Sequence, residues 1–356
     1  MFMKYRKLGT TNLEVSVICL GTMTFGEQNN QEDGFEQLDY ALERGVNFID
    51  TAELYAVMPR KETYGKTEQI IGNWLKERKN RDKVILASKI ASKSDGLEWI
   101  RGGAKKLGFD KKNMNEAIDA SLKRLKTDYI DLYQLHWPER KVPLFGQLDF
   151  EYDPSDNEWT SIEEVLFNLN ELVRLGKVRY VGLSNETPWG MMKFLQVAKE
   201  KNLPRMMSIQ NVYSLVNRVF DIAHSEVAIA ENCGLLAYSP LAGGRLSGKY
   251  IGGKNPKNAR YTLWPSRFSR HHTRRGEIAI KKYFQLANRH GIAPSTFANA
   301  FVNNRPFVTS NIIGATNMYQ LKENIDSIDV TLDKQIISDI QDIHLGDPNP
   351  LVFRYL

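Results

Sequence analysis

The chain has 356 residues, of which 42% are hydrophobic and 25% charged, enough to bury a substantial core as one large barrel or two smaller domains. Its net charge of +6 arises from positive and negative side chains that alternate along the sequence, a mild field that excludes a nucleic-acid footprint. No apolar run is long enough to span a bilayer, and Met1 to Leu8 lacks the apolar core of a signal peptide, so the expected address is the cytoplasm, away from membranes.

Tyr5 to Leu8 and Leu13 to Val15 flank Gly9, Thr10, Thr11 and Asn12, which reads as a hairpin able to cap the floor of the following fold. From Val17 onward, short apolar β-branched runs alternate with longer stretches of helical period, the pattern of a parallel sheet wrapped by helices. The predicted strands are Val17 to Leu20, Phe48 to Asp50, Val84 to Lys89, Tyr129 to Leu135, Val178 to Ser184, Met206 to Gln210, Leu235 to Tyr238 and Val308 to Ile313. Helical patterns follow each of them. With no Gly/Pro/Ser-rich linker between the eight pairs, the expectation is a single (β/α)8 TIM barrel domain over residues 1–356, an α/β fold with an N-terminal β-hairpin. The doubly wound alternative lacks the G-x-G-x-x-G after its first strand.

Two long loops interrupt the alternation, from Trp137 to about Thr160 after the fourth strand and from Leu241 to about Thr273 after the seventh. Both exceed the usual connection of roughly 2 to 6 residues, and in a barrel they would wall the substrate and cofactor clefts at the C-terminal rim. The densest basic stretch, Arg267, Arg270, His271, His272, Arg274 and Arg275, reads as a solvated loop entering a helix, since no nucleic-acid motif accompanies it. Cys19 and Cys233 sit in or beside apolar strand runs, where a thiol behaves as a small hydrophobe, so no disulfide framework is expected.

Asp50 and Tyr55 stand at or past the end of the second strand, Lys89 at the end of the third and His136 at the end of the fourth. Strand ends of a barrel face one another across its mouth, so these four residues converge on one cavity. A phenol is a poor acid at neutral pH, and bringing it near 7 takes roughly 4 kcal/mol of preference for the phenolate. An ammonium about 4 Å away supplies roughly that amount at an effective dielectric near 20. Lys89 is therefore a candidate activator of Tyr55, Asp50 an orienting partner for Lys89, and His136 a second donor to a substrate oxygen. Such a site protonates an oxygen as it gains electrons.

The segments Gly45-Val-Asn-Phe-Ile-Asp50-Thr-Ala-Glu-Leu-Tyr55, Ala87-Ser-Lys89 and Leu132-Tyr-Gln-Leu-His136-Trp-Pro138 resemble the aldo-keto reductase signatures. The likeness continues through Val181-Gly-Leu-Ser-Asn185, Gln210-Asn211-Val-Tyr213, Ala237-Tyr-Ser-Pro-Leu-Ala-Gly-Gly244, Gly248-Lys249-Tyr250 and Ile313-Gly-Ala-Thr316 with Gln320 and Asn324. The opening Thr22-Met-Thr-Phe-Gly26 makes the chain especially similar to the bacterial Tas-like branch. The resemblance implies NADPH/NADP+ as cofactor, a small-molecule carbonyl substrate and Tyr55 as general acid supported by Lys89, His136 and Asp50. It places Thr22 and Met23 among the cofactor contacts and gives the nicotinamide carboxamide to Ser184, Asn185 and Gln210. Tyr238 would stack on the ring.

By the same likeness Ser239, Pro240, Leu241, Ala242 and Gly243 pass along the pyrophosphate, where small residues admit backbone N–H groups, and Lys249 adds charge. Gly314, Thr316, Gln320 and Asn324 would flank the adenosine end. Ala315 and Leu321 stand where many members have basic residues, so Arg260 is the candidate cation for a 2′-phosphate. The stretch from Ala56 to Thr63 is an insertion expected to cover part of the substrate pocket.

Each residue also has an ordinary reading: His136 in the core, Asp50 as a helix cap, Lys89 in a rim ion pair, Tyr238 as packing, Ser184 and Asn185 as a cap, Arg260 in solvent. Their joint occurrence at successive strand ends favours the catalytic one. A competing function is a non-catalytic NADPH-binding regulatory subunit like the potassium-channel β-subunits. The short stretch before the hairpin offers no tether for that role, and a pure sensor has no use for His136. Metal-assisted hydrolysis is disfavoured because no His-rich ligand set marks the strand ends. No obligate protein partner is implied, and a monomer is the default.

Overall fold

The computed structural model describes residues 3–351 other than 95, 103–106, 146, 148 and 266–272. It opens with the antiparallel pair β1 (Tyr5–Lys7) and β2 (Glu14–Ser16), with Tyr5 opposite Ser16. Eight parallel strands follow: β3 (Ile18–Gly21), β4 (Phe48–Asp50), β5 (Ile85–Ile90), β6 (Ile130–Leu135), β7 (Val178–Ser184), β8 (Met206–Val212), β9 (Gly234–Tyr238) and β10 (Val308–Ile313). They close into a barrel in chain order, with β10 pairing both β9 and β3. The fold is a (β/α)8 barrel.

The helices packed around it are α1 (Gln31–Glu43), α2 (Lys66–Arg78), α3 (Lys111–Leu125), α4 (Ile162–Arg174), α5 (Pro188–Lys201) and α6 (His224–Ala230). After β9 come α7 (Arg260–Leu263), α8 (Arg274–Arg289) and α9 (Pro294–Asn303), and after β10 come α10 (Met318–Asp326) and α11 (Lys334–Gly346). Local sequence accounts for their ends and faces. In α4 the Ser161 hydroxyl accepts from the Glu164 N–H as N-cap, and Ile162, Val165, Leu166, Leu169 and Leu172 line the buried face at helical spacing. Each fully buried side chain of this size contributes roughly 1.5–3 kcal/mol relative to exposure.

The hairpin does close the barrel floor. Leu8 and Val15 are fully buried and pack with Cys19, Phe48, Leu132 and Leu236 inside the barrel. Gly9 is required at its turn, because it has φ +56° and an added Cβ would lie 2.5 Å from the Met207 carbonyl oxygen.

The period-2 pleat decides what faces the barrel axis. Phe48 and Asp50 of β4, Ile85, Ala87 and Lys89 of β5, and Leu132 and Gln134 of β6 form ascending inward rows, each apolar at the bottom and polar at the top. Phe48, Ile85, Ala87 and Leu132 accordingly belong to the interior cluster, while Leu86, Ile90, Tyr133 and Leu135 join the outer core beneath the helices. Three strand ends extend past the sequence expectation, the first being β3, which runs one residue further to Gly21. β5 runs to Ile90, so Lys89 is its penultimate residue, and β8 continues to Val212 because Asn211 and Val212 stay paired with Ala237 and Tyr238.

Arg267, Arg270, His271 and His272 lie outside the described residues, whereas Arg274 opens α8 and Arg275 pairs with Asp347 at the surface. Cys19 and Cys233 are both buried and unpaired.

Candidate active site

Asp50, Tyr55, Lys89 and His136 meet at the C-terminal mouth of the barrel. The fully buried Lys89 ammonium lies 2.7 Å from Asp50 Oδ2 and donates to the Thr51 carbonyl at 2.8 Å. The same ammonium is 4.9 Å from the centre of the Tyr55 ring, close enough for its charge to act on the phenol. The His136 ring stands edge-on to Tyr55, with centres 5.8 Å apart. Lys89 and Asp50 are sealed, while Tyr55 keeps part of its surface open. A phenol reachable from the mouth and an ammonium held behind it make a donor with a built-in counter-charge.

The electrostatics correct one expectation. Burial raises the Tyr55 pKa; the Lys89 charge lowers it, Asp50 counteracts Lys89, and the net direction is upward. Lys89 does not bring the phenol close to neutrality, because the same burial that strengthens its field also disfavours the phenolate. Burial works against the Lys89 charge too, but Asp50 and Tyr55 outweigh it and hold the ammonium protonated above its ordinary range.

His136 is pushed well below the ordinary histidine range by burial and then by Lys89, so its imidazole is neutral. Its Nδ1 is buried without a hydrogen-bond partner, which leaves Nε2 as the nitrogen able to meet a ligand. A histidine depressed in this way binds its proton more readily when unfolded, so it removes stability as pH falls below about 6.5. The melting temperature is expected to decline from pH 7 to 5 and to decline less steeply in His136→Asn; equal slopes would refute this.

Gln134 was not singled out from sequence, yet it belongs to the site. Its amide donates to Asp50 Oδ1 at 3.2 Å, beside a 2.8 Å bond to the same oxygen from Gln210. The signal was available, since Gln134 lies two residues before His136 in a buried strand and therefore shares its face.

Ser184, Asn185 and Gln210 come together as expected, and their donors are already engaged. The Ser184 hydroxyl donates to the Gln210 carbonyl at 2.9 Å, and the Asn185 amide donates to the His136 carbonyl at 2.9 Å and to Ser184 Oγ at 3.2 Å. The Gln210 amide donates to Asp50 and to Gln134. What remains toward a ligand is a set of acceptor oxygens. Tyr238 donates its hydroxyl to Asn185 Oδ1 at 2.6 Å, which fixes its ring beside them. A cavity of about 200 Å³ opens on the other side of Asn185, between the loops after β6, β7 and β8, lined by Phe145, Pro188, Val212, Val219 and Phe220 among others.

The segment after β9 takes the conformation its small residues permit. Ser239, Ala242, Gly243 and Gly244 all have positive φ, and a Cβ on Gly243 would strike the Tyr261 hydroxyl at 2.5 Å. Within this turn the Ala242 and Gly244 N–H groups donate to the Ser239 and Leu241 carbonyls, both at 2.9 Å. Lys249 approaches Gly244, and its pKa is lowered by burial and by the Arg260 charge. The Arg260 guanidinium meets Met23 Sδ at 3.9 Å, and its field reaches Tyr55 as well. Two neighbouring cations that disfavour one another suit a polyanion.

Thr22 is fully buried and donates to the Asp50 carbonyl at 2.8 Å, so it supports the site from below. Gly314, Thr316, Gln320 and Asn324 interlock at the start of α10: Thr316 donates to Gln320 Oε1 through its N–H at 3.0 Å and its hydroxyl at 3.1 Å, and Asn324 donates to the Gly314 carbonyl at 3.1 Å. The insertion from Ala56 to Thr63 reaches across the mouth, where Val57 and Met58 pack with Tyr250, Tyr261 and Trp264 of the loop after β9. Among the described residues, no three His, Cys, Asp or Glu side chains are grouped to hold a metal, and no helix is long and apolar enough to cross a membrane.

A closed parallel barrel with Tyr55, Lys89, Asp50 and His136 gathered at its C-terminal mouth defines a (β/α)8-barrel protein with a polar site at its rim. The sequence model of the Aldo/keto reductase family matches residues 17–344, and the chain belongs to that family. It is 46% identical to Protein tas of Escherichia coli K12 over 96% of this chain and 98% of that one. It is 33% identical to the uncharacterized oxidoreductase YrpG of Bacillus subtilis over 97% of each chain, and 29% identical to norsolorinic acid reductase B of Dothistroma septosporum over 95% of this chain and 81% of that one. Members of the family generally use nicotinamide cofactors.

Proposed function

We propose that this protein is an NADPH-dependent reductase of aldehydes and ketones in which Tyr55 is the proton donor. The observation that carries the reading is the sealed Lys89 ammonium, 2.7 Å from Asp50 and directly behind the partly open Tyr55 ring. A bound reduced nicotinamide would supply hydride to the carbonyl carbon. Tyr55 gives its proton to the carbonyl oxygen, and Lys89 stabilises the resulting phenolate. Asp50, gripped by Gln134 and Gln210, keeps Lys89 charged and aimed. Neutral His136 offers its Nε2–H to the same oxygen, which orients the substrate. Replacing Tyr55 by Phe tests the assignment most directly.

The residues fit the cofactor. The acceptor oxygens of Ser184, Asn185 and Gln210 would take the carboxamide NH2, and the Tyr238 ring offers a flat face to the nicotinamide. Because no donor remains there for a carbonyl or carboxylate, an analogue bearing a carboxylate in place of the carboxamide should bind at least about tenfold more weakly, since unpaired acceptors facing one another are costly. Equal affinity by fluorescence quenching would overturn that assignment.

Lys249 and the turn at Ser239, Pro240, Leu241, Ala242 and Gly243 would hold the pyrophosphate, with Arg260 as the cation for the 2′-phosphate. Separate titrations with NADPH and NADH should show NADPH the tighter by about tenfold or more, and Arg260→Ala should erase most of the difference. Equal affinities, or no loss in the variant, would remove the NADPH preference and leave the reductase reading standing.

A further inference from the structure

Between Asp50 and Tyr55 stands Glu53, whose side chain is fully buried although none of the chemistry described above uses it. Its Oε1 accepts the backbone N–H of Ala91 at 2.6 Å and pairs with Arg101, and its Oε2 accepts the Tyr64 hydroxyl at 3.2 Å. Arg101 is itself buried; it donates to the Ala91 carbonyl at 3.0 Å and to Asn113 Oδ1 of α3 at 3.1 Å. The Glu53 N–H donates to the Lys89 carbonyl at 3.2 Å, so Glu53 touches the β5 strand end on both sides of Ile90. Glu53 lies two residues before the phenol, and Ala91 two residues after the ammonium. The carboxylate and its arginine thus hold together the two backbone segments whose spacing sets the Tyr55 to Lys89 geometry.

We propose that Glu53 is a positioning residue for the reaction: its carboxylate, clasped by Arg101, staples the turn carrying Tyr55 to the end of the strand carrying Lys89. The inference rests on Tyr55 being the proton donor. A buried ion pair is weak evidence for stability, since apolar replacements often do as well, so stability alone does not explain this one. An apolar pair lacks directional bonds to a backbone N–H and C=O two residues from the catalytic lysine. Reaction rates are sensitive to misplacements of about 1 Å, which is the scale such bonds control.

The protein contains its own control. Glu68 is a second fully buried carboxylate on the same strand's outer side, paired with Arg124 at 2.7 Å and accepting the Ser88 hydroxyl at 2.6 Å, but it belongs to α2 and makes none of these bonds to the Tyr55 turn. Glu53→Leu and Glu68→Leu should lower the melting temperature alike. Only Glu53→Leu should also reduce kcat for a reactive aldehyde, by about tenfold to a hundredfold, with the NADPH dissociation constant unchanged and the isotope effect on deuteride transfer increased. Glu53→Gln keeps an oxygen for the Ala91 N–H and should recover part of that loss. If Glu53→Leu does not fold, Glu53→Gln against Glu68→Gln gives the same comparison, with slower turnover expected only in the first.

Equal kcat losses at positions 53 and 68, or no loss at 53, overturn the proposal. If Tyr55→Phe is inactive while the two glutamate variants behave alike, this inference alone falls. If Tyr55→Phe retains full turnover, the reductase reading falls with it.

Discussion

Tyr55→Phe is expected to bind NADPH as the unmodified protein does and to lose about 10² to 10⁴ in turnover of a reactive aldehyde. Removing one hydroxyl leaves the ring, its edge contact with His136 and the ammonium behind it in place, so the change isolates proton donation. The pH dependence carries the same information. Because burial raises the phenol, with Lys89 lowering it only in part, Tyr55 remains protonated throughout the neutral range. Reduction should therefore show no loss attributable to Tyr55 until the pH exceeds the ordinary phenol value of about 10. Unchanged turnover in the variant, or an alkaline limb near pH 8 that Tyr55→Phe abolishes, would contradict this account.

Lys89→Met should have the second large effect, on stability as well as on rate. It removes one member of a sealed pair and leaves Asp50 buried opposite a thioether, a loss of about 3–5 kcal/mol. The rate should fall at least as far as in Tyr55→Phe, since the phenolate then forms without its counter-charge and beside an unneutralised carboxylate. Combining Lys89→Met with Asp50→Asn separates the two effects. The double variant should regain much of the lost melting temperature, because the uncompensated charge is gone, and should remain inactive. Recovery of activity in the double variant would show that the lysine serves the fold and not the reaction.

The sequence by itself determined the barrel and which polar groups stand at its mouth. Alternation of β-branched runs with helical periods is a local property, and it located all eight barrel strands within a residue or two. Strand-end position carried Asp50, Tyr55, Lys89 and His136 to one mouth, because closure of a parallel barrel leaves their side chains nowhere else to converge.

Whatever depended on where hydrogen-bond donors and charges point in space was decided by the tertiary structure. Gln134 and Glu53 read as ordinary polar residues until neighbouring strands bring Asp50 and Ala91 against them. The acceptor-only character of Ser184, Asn185 and Gln210 exists because their N–H and O–H groups are committed to partners from other strands and loops. The upward shift of Tyr55 likewise follows from burial, with Lys89 and Asp50 acting in opposite directions. Desolvation and donor direction are properties of assembled surroundings, whereas periodicity is written along a single strand of sequence.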